Sequence, residues 1–310
     1  MMKNKMMNMV KMTLASTMLF ASLSVTASAA QPIKRVGTPD IQVLIDARKI
    51  KLTDAKPYAN EDQRVMVPVR VVSEGLGAKV DWNQAENKVT ITKDEKVVQL
   101  TANQKTAVVN GKTVQFDTNM TVKKQRVYVP LRFVSEALGQ SVMWDSVSRW
   151  VWIGKQDVPR PEDVGIKNVP LEDVVKYFKN RQDIYEYHDK ATIYKSSDFP
   201  ISLPVKIGEN VIYEVFQANQ GSIEGIGLHY SGTILSNIHL VLEDYKGVRT
   251  RNPVYTEKHV DGTKTAYFPV VSESDSLFFN IKNYKDLKYS HLKYLGITTD
   301  SNSLQLLQLK

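Results

Sequence analysis

Two stretches of the chain carry the same order of apolar and polar positions. In the first stretch, Val69, Val72 and Leu76 are spaced i, i+3 and i+7, which places them on one face of a helix. A proline stands before this face and a glycine follows it, as expected at the first turn and at the C-terminal cap. The order recurs 62 residues later. We therefore predict one short helix in each stretch.

The segments around each predicted helix have the pattern of β-hairpins. After the helix comes a short strand that ends in Trp82 or Trp144, then a polar turn, then an alternating strand. Upstream, Gln42–Leu52 and Val108–Phe116 each predict another hairpin, and Asn110-Gly111 is a strong two-residue turn signal in the second. Each copy is thus predicted to be a small antiparallel sheet curled around one short helix.

The similarity between the two stretches extends to residue identities. RVMVPVRVVSEGLGAKVDWNQAENKVTITK, residues 64–93, aligns without gaps with RVYVPLRFVSEALGQSVMWDSVSRWVWIGK, residues 126–155, and fifteen of the thirty positions are identical. We interpret residues 41–155 as a duplicated structural unit. The shared positions taken as structural are Pro68, Arg70, Glu74, Leu76, Gly77, Trp82, Pro130, Arg132, Glu136, Leu138, Gly139 and Trp144.

Two kinds of repeated residue admit a functional interpretation. Arg70 and Glu74, spaced i and i+4 as in the second copy, form either a ligand-facing charge pair or a surface ion pair worth a few tenths of a kcal/mol. The surface pair is the favoured interpretation. Trp82 and Trp144 could stack on sugar rings, but packing in the core is favoured because an indole carries a large apolar area.

The quoted motifs resemble one known family. V-P-V-R-x-x-S-E-x-L-G-A-x-V-x-W and V-P-L-R-F-V-S-E-A-L-G-x-x-V-x-W are similar to the copper amine oxidase N-terminal domain-like, or stalk-domain, family. The resemblance implies an α+β stalk module that is found on exported proteins of Gram-positive bacteria and carries no catalytic residues.

Copper amine oxidase activity itself is not expected. The chain has no His-x-His pair, and its Asn283-Tyr284 is followed by Lys285 rather than by an acidic residue. The 155 residues after the repeat are also too few for an oxidase domain. We therefore predict no catalytic residue, no cofactor and no metal site.

Composition changes after Lys155, which predicts a separate C-terminal domain. All four tryptophans precede this position, whereas twelve of fourteen tyrosines and all five histidines follow it. Residues 156–170 are predicted to be a linker and 171–310 a β-rich domain that begins with an amphipathic helix, Leu171–Arg181. The predicted strands are Asn210–Gln217, Ser222–Tyr230, Ile234–Leu242, Lys264–Val271, Ser276–Lys282 and Ser303–Leu309.

These elements predict an α+β fold. The two repeated small sheets are followed by a mainly β domain, either a sandwich or a jelly roll. The histidines offer two local groupings, His229-Tyr230-Ser231 and His239 near Glu243-Asp244. Their scattered spacing favours surface or hydrogen-bonded core histidines over a catalytic or metal role.

The N-terminus has the three parts of a secretory signal peptide. Three lysines precede the apolar stretch Met12–Val25, and small residues follow it, so residues 1–29 predict a peptide cleaved after Ala29. Residues 30–40 are predicted to be a linker. No other segment is apolar enough to be a transmembrane segment, and the chain has no cysteine, so no disulfide is expected.

The predicted export and the composition exclude some classes of function and favour others. The net charge of +8 falls to +5 when the three lysines of the peptide are removed, and no basic cluster alternates with aromatic residues, so nucleic acid is not expected as a partner. The favoured function is a secreted or cell-wall-associated, non-catalytic protein whose β-rich domain binds a cell-wall polymer, a glycan or a surface protein. The alternatives are a hydrolase of such polymers, with its active site in the C-terminal half, and a spacer or dimerising stalk.

Overall fold

The computed structural model of the chain describes residues 32–52, 55–178, 181–194, 203–232, 237–297 and 303–309. The predicted signal peptide lies outside these residues. From Pro32 onward the described residues belong to one unit. Strands dominate it and helices are few and short, so the predicted β-rich character is confirmed.

Within the described residues before position 156, the strands and helices follow one another in the order β1 (Ile33–Arg35), β2 (Gln42–Ile45), β3 (Arg48–Lys49), β4 (Tyr58–Ala59), β5 (Val65–Pro68), α1 (Val69–Gly75), β6 (Lys79–Asn83), β7 (Lys88–Lys93), β8 (Lys96–Thr101), β9 (Thr106–Val109), β10 (Lys112–Gln115), β11 (Thr121–Lys123), β12 (Arg126–Pro130), α2 (Leu131–Ala137), β13 (Val142–Asp145) and β14 (Trp150–Ile153).

Both helices begin and end where the sequence predicts. Pro68 and Pro130 occupy the N-cap positions of α1 and α2 with extended backbone angles. After α1, Gly77 has φ +77°, and its amide donates to the Glu74 carbonyl at 2.9 Å. The Ala78 amide reaches the Ser73 carbonyl at 2.8 Å, so two backbone hydrogen bonds close the helix end. The end of α2 repeats both bonds.

The two copies are joined by an antiparallel pairing of equivalent strands. Val67 on β5 pairs with Val129 on β12, and these residues occupy the same position of the repeat. Met66 faces Pro130, and Pro68 faces Tyr128, so the pairing is symmetrical about the two valines. The copies are therefore related by a local twofold axis, as in an isologous dimer.

This pairing corrects the prediction that each copy curls its own sheet around its own helix. The central sheet has the order β11-β12-β5-β4 and takes strands from both copies. A second sheet, β10-β9-β8-β7-β6, joins the second hairpin of copy one to the first hairpin of copy two. In the third sheet, β13-β14-β2-β3, strand β14 runs parallel to β2. Short hairpins are marginal alone, and pairing with the other copy widens each sheet.

One apolar core serves both copies. It contains Val67 and Val129 of the central sheet and the predicted helix stripes of both copies, including Leu76 and Leu138. Val89 and Ile91 of β7, and Val151 and Ile153 of β14, face the same core. Both copies thus contribute apolar side chains to one core within residues 41–153. We call this part the tandem module.

Among the described residues after position 155, the elements are β15 (Asn168–Pro170), α3 (Glu172–Val175), β16 (Lys190–Tyr194), β17 (Val205–Ile207), β18 (Asn210–Gln220), β19 (Ile223–Ser231), β20 (Ile238–Leu242), β21 (Val248–Arg251), β22 (Tyr255–Lys258), β23 (Lys264–Pro269), α4 (Ser274–Leu277), β24 (Leu292–Ile297) and β25 (Ser303–Gln308). No helix in this part or in the described tandem module has both the length and the apolarity needed to span a membrane.

The C-terminal half is built on two six-stranded sheets. The first has the order β1-β18-β19-β23-β22, with β17 also paired to β18, and the second has the order β15-β16-β25-β24-β20-β21. Apolar side chains from both sheets share one core, including Leu228, Phe268 and Leu295. The opposite face of the second sheet is covered by α3 and the following 3-10 turn, through Val174 and Phe178.

Several sequence-based assignments differ from the structure. In place of the predicted helix Leu171–Arg181, the short helix α3 is followed by a 3-10 turn, Lys176–Phe178. The predicted strand Ser276–Lys282 is instead the end of α4 followed by an exposed loop, because its apolar residues have no sheet partner. Strand β1 lies inside the predicted linker 30–40 and pairs with β18. Strand β15 lies inside the predicted linker 156–170.

One strand contributes side chains to the core of the tandem module and to the core of the C-terminal half. On β14, Val151 and Ile153 face the core of the module, whereas Trp150 and Trp152 face the core of the C-terminal half. Successive residues of a strand point to opposite sides, so a single strand can serve two cores. The change of composition after Lys155 predicts a domain boundary here. In the structure, β14 instead forms a buried contact between the tandem module and the C-terminal half.

The buried leucines at the helix ends should carry a large share of the module's stability. Leu138 is only 2% exposed, so Leu138→Ala should lower the free energy of unfolding by about 2 to 5 kcal/mol. Leu76→Ala, at a site that is 7% exposed, should fall in the same range. Urea-induced unfolding measures the free energy of unfolding of both variants.

Val114→Ala is the matched control because Val114 is 39% exposed. It should change stability by less than about 0.5 kcal/mol, and an equally small loss in Leu138→Ala would contradict the assignment.

Candidate functional site

Two clefts open on the tandem module, one beside each helix. The first cleft has a volume of about 600 Å³ and the second a volume of about 940 Å³. Each is bounded by the start of a helix and the following hairpin of one copy, and by the β5 or β12 region of the other copy. The pairing of β5 with β12 brings these surfaces together, so neither copy could form a cleft alone.

The clefts are lined by equivalent residues. Thirteen of the fourteen residues that line the first cleft have a counterpart 62 positions away that lines the second. The equivalent pairs are Ala55/Asp117, Pro68/Pro130, Val69/Leu131, Arg70/Arg132, Val71/Phe133, Val80/Val142, Trp82/Trp144, Gln84/Ser146, Asn87/Arg149, Val89/Val151, Gln125/Gln63, Arg126/Arg64 and Val127/Val65. The local twofold axis therefore relates two versions of the same cleft.

An indole forms part of the wall of each cleft. Trp82 is half-buried and packs against the module core, so the predicted core role is supported for this residue. Trp144 is 40% exposed, and the core role predicted for it is wrong. Strands β6 and β13 lie at the edges of their sheets, and no further strand pairs with them in the part of the chain that the structure describes. A flat aromatic surface thus faces each cleft.

Positive charge dominates the lining of the first cleft. Arg70 and Arg126 contribute two guanidinium groups, and the lining contains no acidic side chain. The predicted pair of Arg70 with Glu74 is present with an N–O distance of 3.8 Å, but both side chains are more than half exposed. Such a pair is weak in water, so Arg70 remains available to a ligand.

The second cleft contains three arginines and two carboxylates. Arg64, Arg132 and Arg149 line it together with Asp117 and Glu136. Arg64 Nε donates to Asp117 Oδ2 at 2.5 Å. This hydrogen bond, with the charge of Arg64 and a smaller effect of Arg132, lowers the pKa of Asp117 below its ordinary value. Asp117 is therefore an anion that pairs with Arg64 at the rim of the cleft, where both side chains are about half exposed.

The structure divides the predicted repeat residues into two groups, apart from Glu74, which is exposed and lines neither cleft. The residues that line clefts are Pro68, Arg70, Trp82, Pro130, Arg132, Glu136 and Trp144. Leu76 and Leu138 belong to the core, and Gly77 and Gly139 end the helices with positive φ. Sequence reasoning missed the contribution of the opposite copy, which comes from residues 63–65 and 125–127. The available signal was the identical Gln-Arg-Val in both places.

The two histidine groupings lie in the core rather than in a cleft. His229 is 1% exposed, and its Nδ1 and Nε2 lie 2.8 Å from the hydroxyls of Ser148 and Thr263. Ser148 is fully buried, so this pair is not open to a substrate. His239 is 6% exposed, and its Nδ1 lies 3.1 Å from the Thr250 hydroxyl. Both agree with the interpretation as hydrogen-bonded core histidines.

Comparison with known families supports the resemblance in the sequence. Residues 44–153 match the family model of the copper amine oxidase N-terminal domain. The match covers the tandem module from β2 to the end of β14 and leaves out the C-terminal half. The module is thus a copper amine oxidase N-terminal-like domain, for which a non-catalytic, stalk-like role is the supported function.

The residues of the clefts do not fit copper. Neither lining contains histidine or cysteine, the nitrogen and sulfur ligands that copper prefers. In the part of the chain that the structure describes, no three His, Cys, Asp or Glu side chains are grouped to hold a metal ion.

The buried histidines predict a loss of stability in mild acid. Burial lowers the pKa of His229 and of His239 to about 4 from the ordinary value of 6.5. The unfolded chain therefore binds more protons than the native protein between pH 6.5 and pH 4, and stability falls as the pH falls through this window. Each histidine should cost on the order of 3 kcal/mol by pH 4. Urea unfolding between pH 7 and pH 4.5 measures the onset.

A variant separates this effect from the titration of acids. His239→Asn keeps an amide near Thr250 but cannot be protonated, so its stability should fall less steeply between pH 6.5 and pH 4.5. The lowered pKa values of Asp183 and Asp261 place their titration below this window. A wild-type stability that is constant from pH 6.5 to pH 4.5 would show that the imidazoles are not held neutral.

Proposed function

We propose that this protein is a non-catalytic binding protein of the cell surface, and that its tandem module binds a glycan or another cell-wall polymer in its two clefts. The observation that carries the proposal is the pair of equivalent clefts, each of which combines a flat indole with guanidinium groups. The proposal moves the binding role from the C-terminal half, where the sequence suggested it, to the module.

The side chains of each cleft suit a sugar ligand. The apolar face of a sugar ring can stack on an indole such as Trp144, which is large and rigid. Planar groups such as those of Arg70 and Gln125 offer hydrogen bonds to hydroxyls and to carboxylate or phosphate groups. The excess of arginine over acid in both linings favours an anionic polymer.

The twofold relation of the clefts suits a ligand that repeats. A long polymer can occupy both clefts at once, and the second contact is then intramolecular. Such a contact raises the overall affinity by about 10² to 10⁴-fold without any new interaction, if the polymer spans both sites. A stalk-like module that holds a wall polymer in this way would need no reaction chemistry.

The chemistry of the linings also favours binding over catalysis. The two carboxylates of the second cleft, Asp117 and Glu136, have no acidic counterparts in the lining of the first cleft. Asp117 is hydrogen-bonded to Arg64, and its lowered pKa makes it a poor proton donor. The alternative of a hydrolase depends on the C-terminal half, where the two histidine groupings are buried and hydrogen-bonded.

The cell-surface address is part of the same proposal and rests on the sequence of residues 1–29. A signal peptide would deliver the protein outside the membrane, where wall polymers are present.

Replacement of the indoles should weaken binding to walls. Trp144→Ala and Trp82→Ala should each lower the affinity for purified Gram-positive cell walls about tenfold, a change of about 1.4 kcal/mol. The double variant should lose about 100-fold, because the clefts do not share these side chains. Co-sedimentation of the protein with walls at low salt measures the bound fraction. Walls stripped of their anionic polymers should bind less of the wild-type protein.

Tyr187→Ala is the matched control, because Tyr187 is 81% exposed and lies outside both clefts. It should bind like the wild type. Unfolding curves show whether Trp82→Ala, which removes a half-buried side chain, is still folded at the assay temperature. The proposal fails if the wild-type protein stays entirely in the supernatant, or if the folded double variant binds as well as the wild type.

A further inference from the structure

We propose that the loop after α4 inserts its apolar side chains into the surface of an anionic lipid bilayer. Three consecutive large apolar residues, Leu277, Phe278 and Phe279, are 75%, 78% and 45% exposed. We call these three residues the apolar tip. Single exposed apolar residues are normal, but three adjacent ones form a patch that marks an interaction site.

A buried ion pair holds the base of the apolar tip. Asp275 and Arg251 are 1% and 2% exposed, and Nη1 of Arg251 donates to Asp275 Oδ1 at 2.9 Å while Nη2 donates to Oδ2 at 2.5 Å. The same guanidinium donates to the Val270 carbonyl at 2.7 Å. The site therefore has a rigid base, since breaking a buried pair of this kind leaves an uncompensated charge.

The backbone also fixes the far side of the loop. Asn280 has φ +52°, a left-handed conformation that asparagine tolerates, and the chain reverses there. The Ile281 amide then donates to the Asp275 carbonyl at 3.0 Å. The apolar tip is thus closed at both ends on Asp275, so its side chains are presented to solvent by a defined loop.

Basic side chains follow the apolar tip directly. Lys282, Lys285 and Lys288 are exposed, and residues 276–290 contain one acidic residue, Asp286. Lysines next to exposed aromatic and leucine side chains are typical of surfaces that bind anionic membranes. The apolar groups enter the boundary between headgroups and acyl chains, and the ammonium groups contact lipid phosphates.

Charge argues against two other occupants. A second copy that docked through the same patch would bring the three lysines of each chain close together, and like charges across an interface are unfavourable. An anionic wall polymer would attract the lysines, but a sugar ring stacked on one aromatic side chain would leave the rest of the apolar tip in water. A bilayer of anionic lipid satisfies both the lysines and the apolar tip. This proposal does not depend on the clefts, which lie on the tandem module.

Flotation with lipid vesicles tests the proposal on the full chain. The probes are vesicles of phosphatidylcholine alone and vesicles that contain equal parts of phosphatidylcholine and phosphatidylglycerol. We expect at least tenfold tighter binding to the second kind, weakened by added salt. Phe278→Ser with Phe279→Ser should lower this binding at least tenfold, and so should Lys282→Glu with Lys285→Glu.

Val260→Ser is the matched control, because Val260 is fully exposed in the turn at the opposite end of β23 from the loop. It should bind vesicles like the wild type, as should the Trp82→Ala, Trp144→Ala double variant. Equal binding to both kinds of vesicle, no binding to either kind, or unchanged binding of the Phe278→Ser, Phe279→Ser variant overturns the proposal. Self-association that the same variant abolishes, without vesicle binding, would assign the apolar tip to a dimer interface instead.

Discussion

The antiparallel pairing of Val67 with Val129 is the interaction on which the rest of the tandem module depends. Both side chains are fully buried, and they are the same position of the repeat, so their contact defines the local twofold axis. Each copy then supplies one side of both clefts. A disruption at this pair would therefore affect the shared core and both clefts together, whereas a substitution on one rim affects a single cleft.

Strand β14 carries a second constraint, because it links the module to the C-terminal half. Its valine and isoleucine complete the module core, and Trp150 and Trp152 enter the other core. The bonding of β1 to β18 adds a second link, and Arg35 forms a bidentate ion pair with Glu214 of β18 there. Because both faces of one strand are packed in this way, the orientation of the module relative to the C-terminal half is fixed. A flexible linker would not fix it.

Local chemistry made much of the fold predictable, and long-range pairing did not. The helices, their proline starts and glycine ends, and the Asn110-Gly111 turn depend on neighbouring residues, and all are present where the sequence indicates. The pairing of strands between the two copies depends on the register of segments about 62 residues apart. The period of apolar positions within one segment does not determine that register. For the same reason the clefts were not predicted, although Trp82 and Trp144 were singled out. The prediction of a strand at Ser276–Lys282 is wrong because an apolar run alone does not distinguish a buried strand from an exposed tip.

A comparison of the two copies distinguishes positions that are constrained by packing from positions that are constrained by binding at the clefts. Buried positions have diverged within the limits of volume, as in Val69 and Leu131, because a core accepts apolar exchanges of similar size. Some exposed positions at the rims have stayed identical, namely Arg70 with Arg132 and the Gln-Arg that precedes Val65 and Val127, whereas others differ, as in Gln84 and Ser146. Packing gives no reason to retain an exposed arginine, and an ion pair as weak as that of Arg70 gives little. A ligand that contacts both rims in the same way gives a reason to retain these arginines. The equivalent clefts, rather than the core histidines, therefore support the binding function.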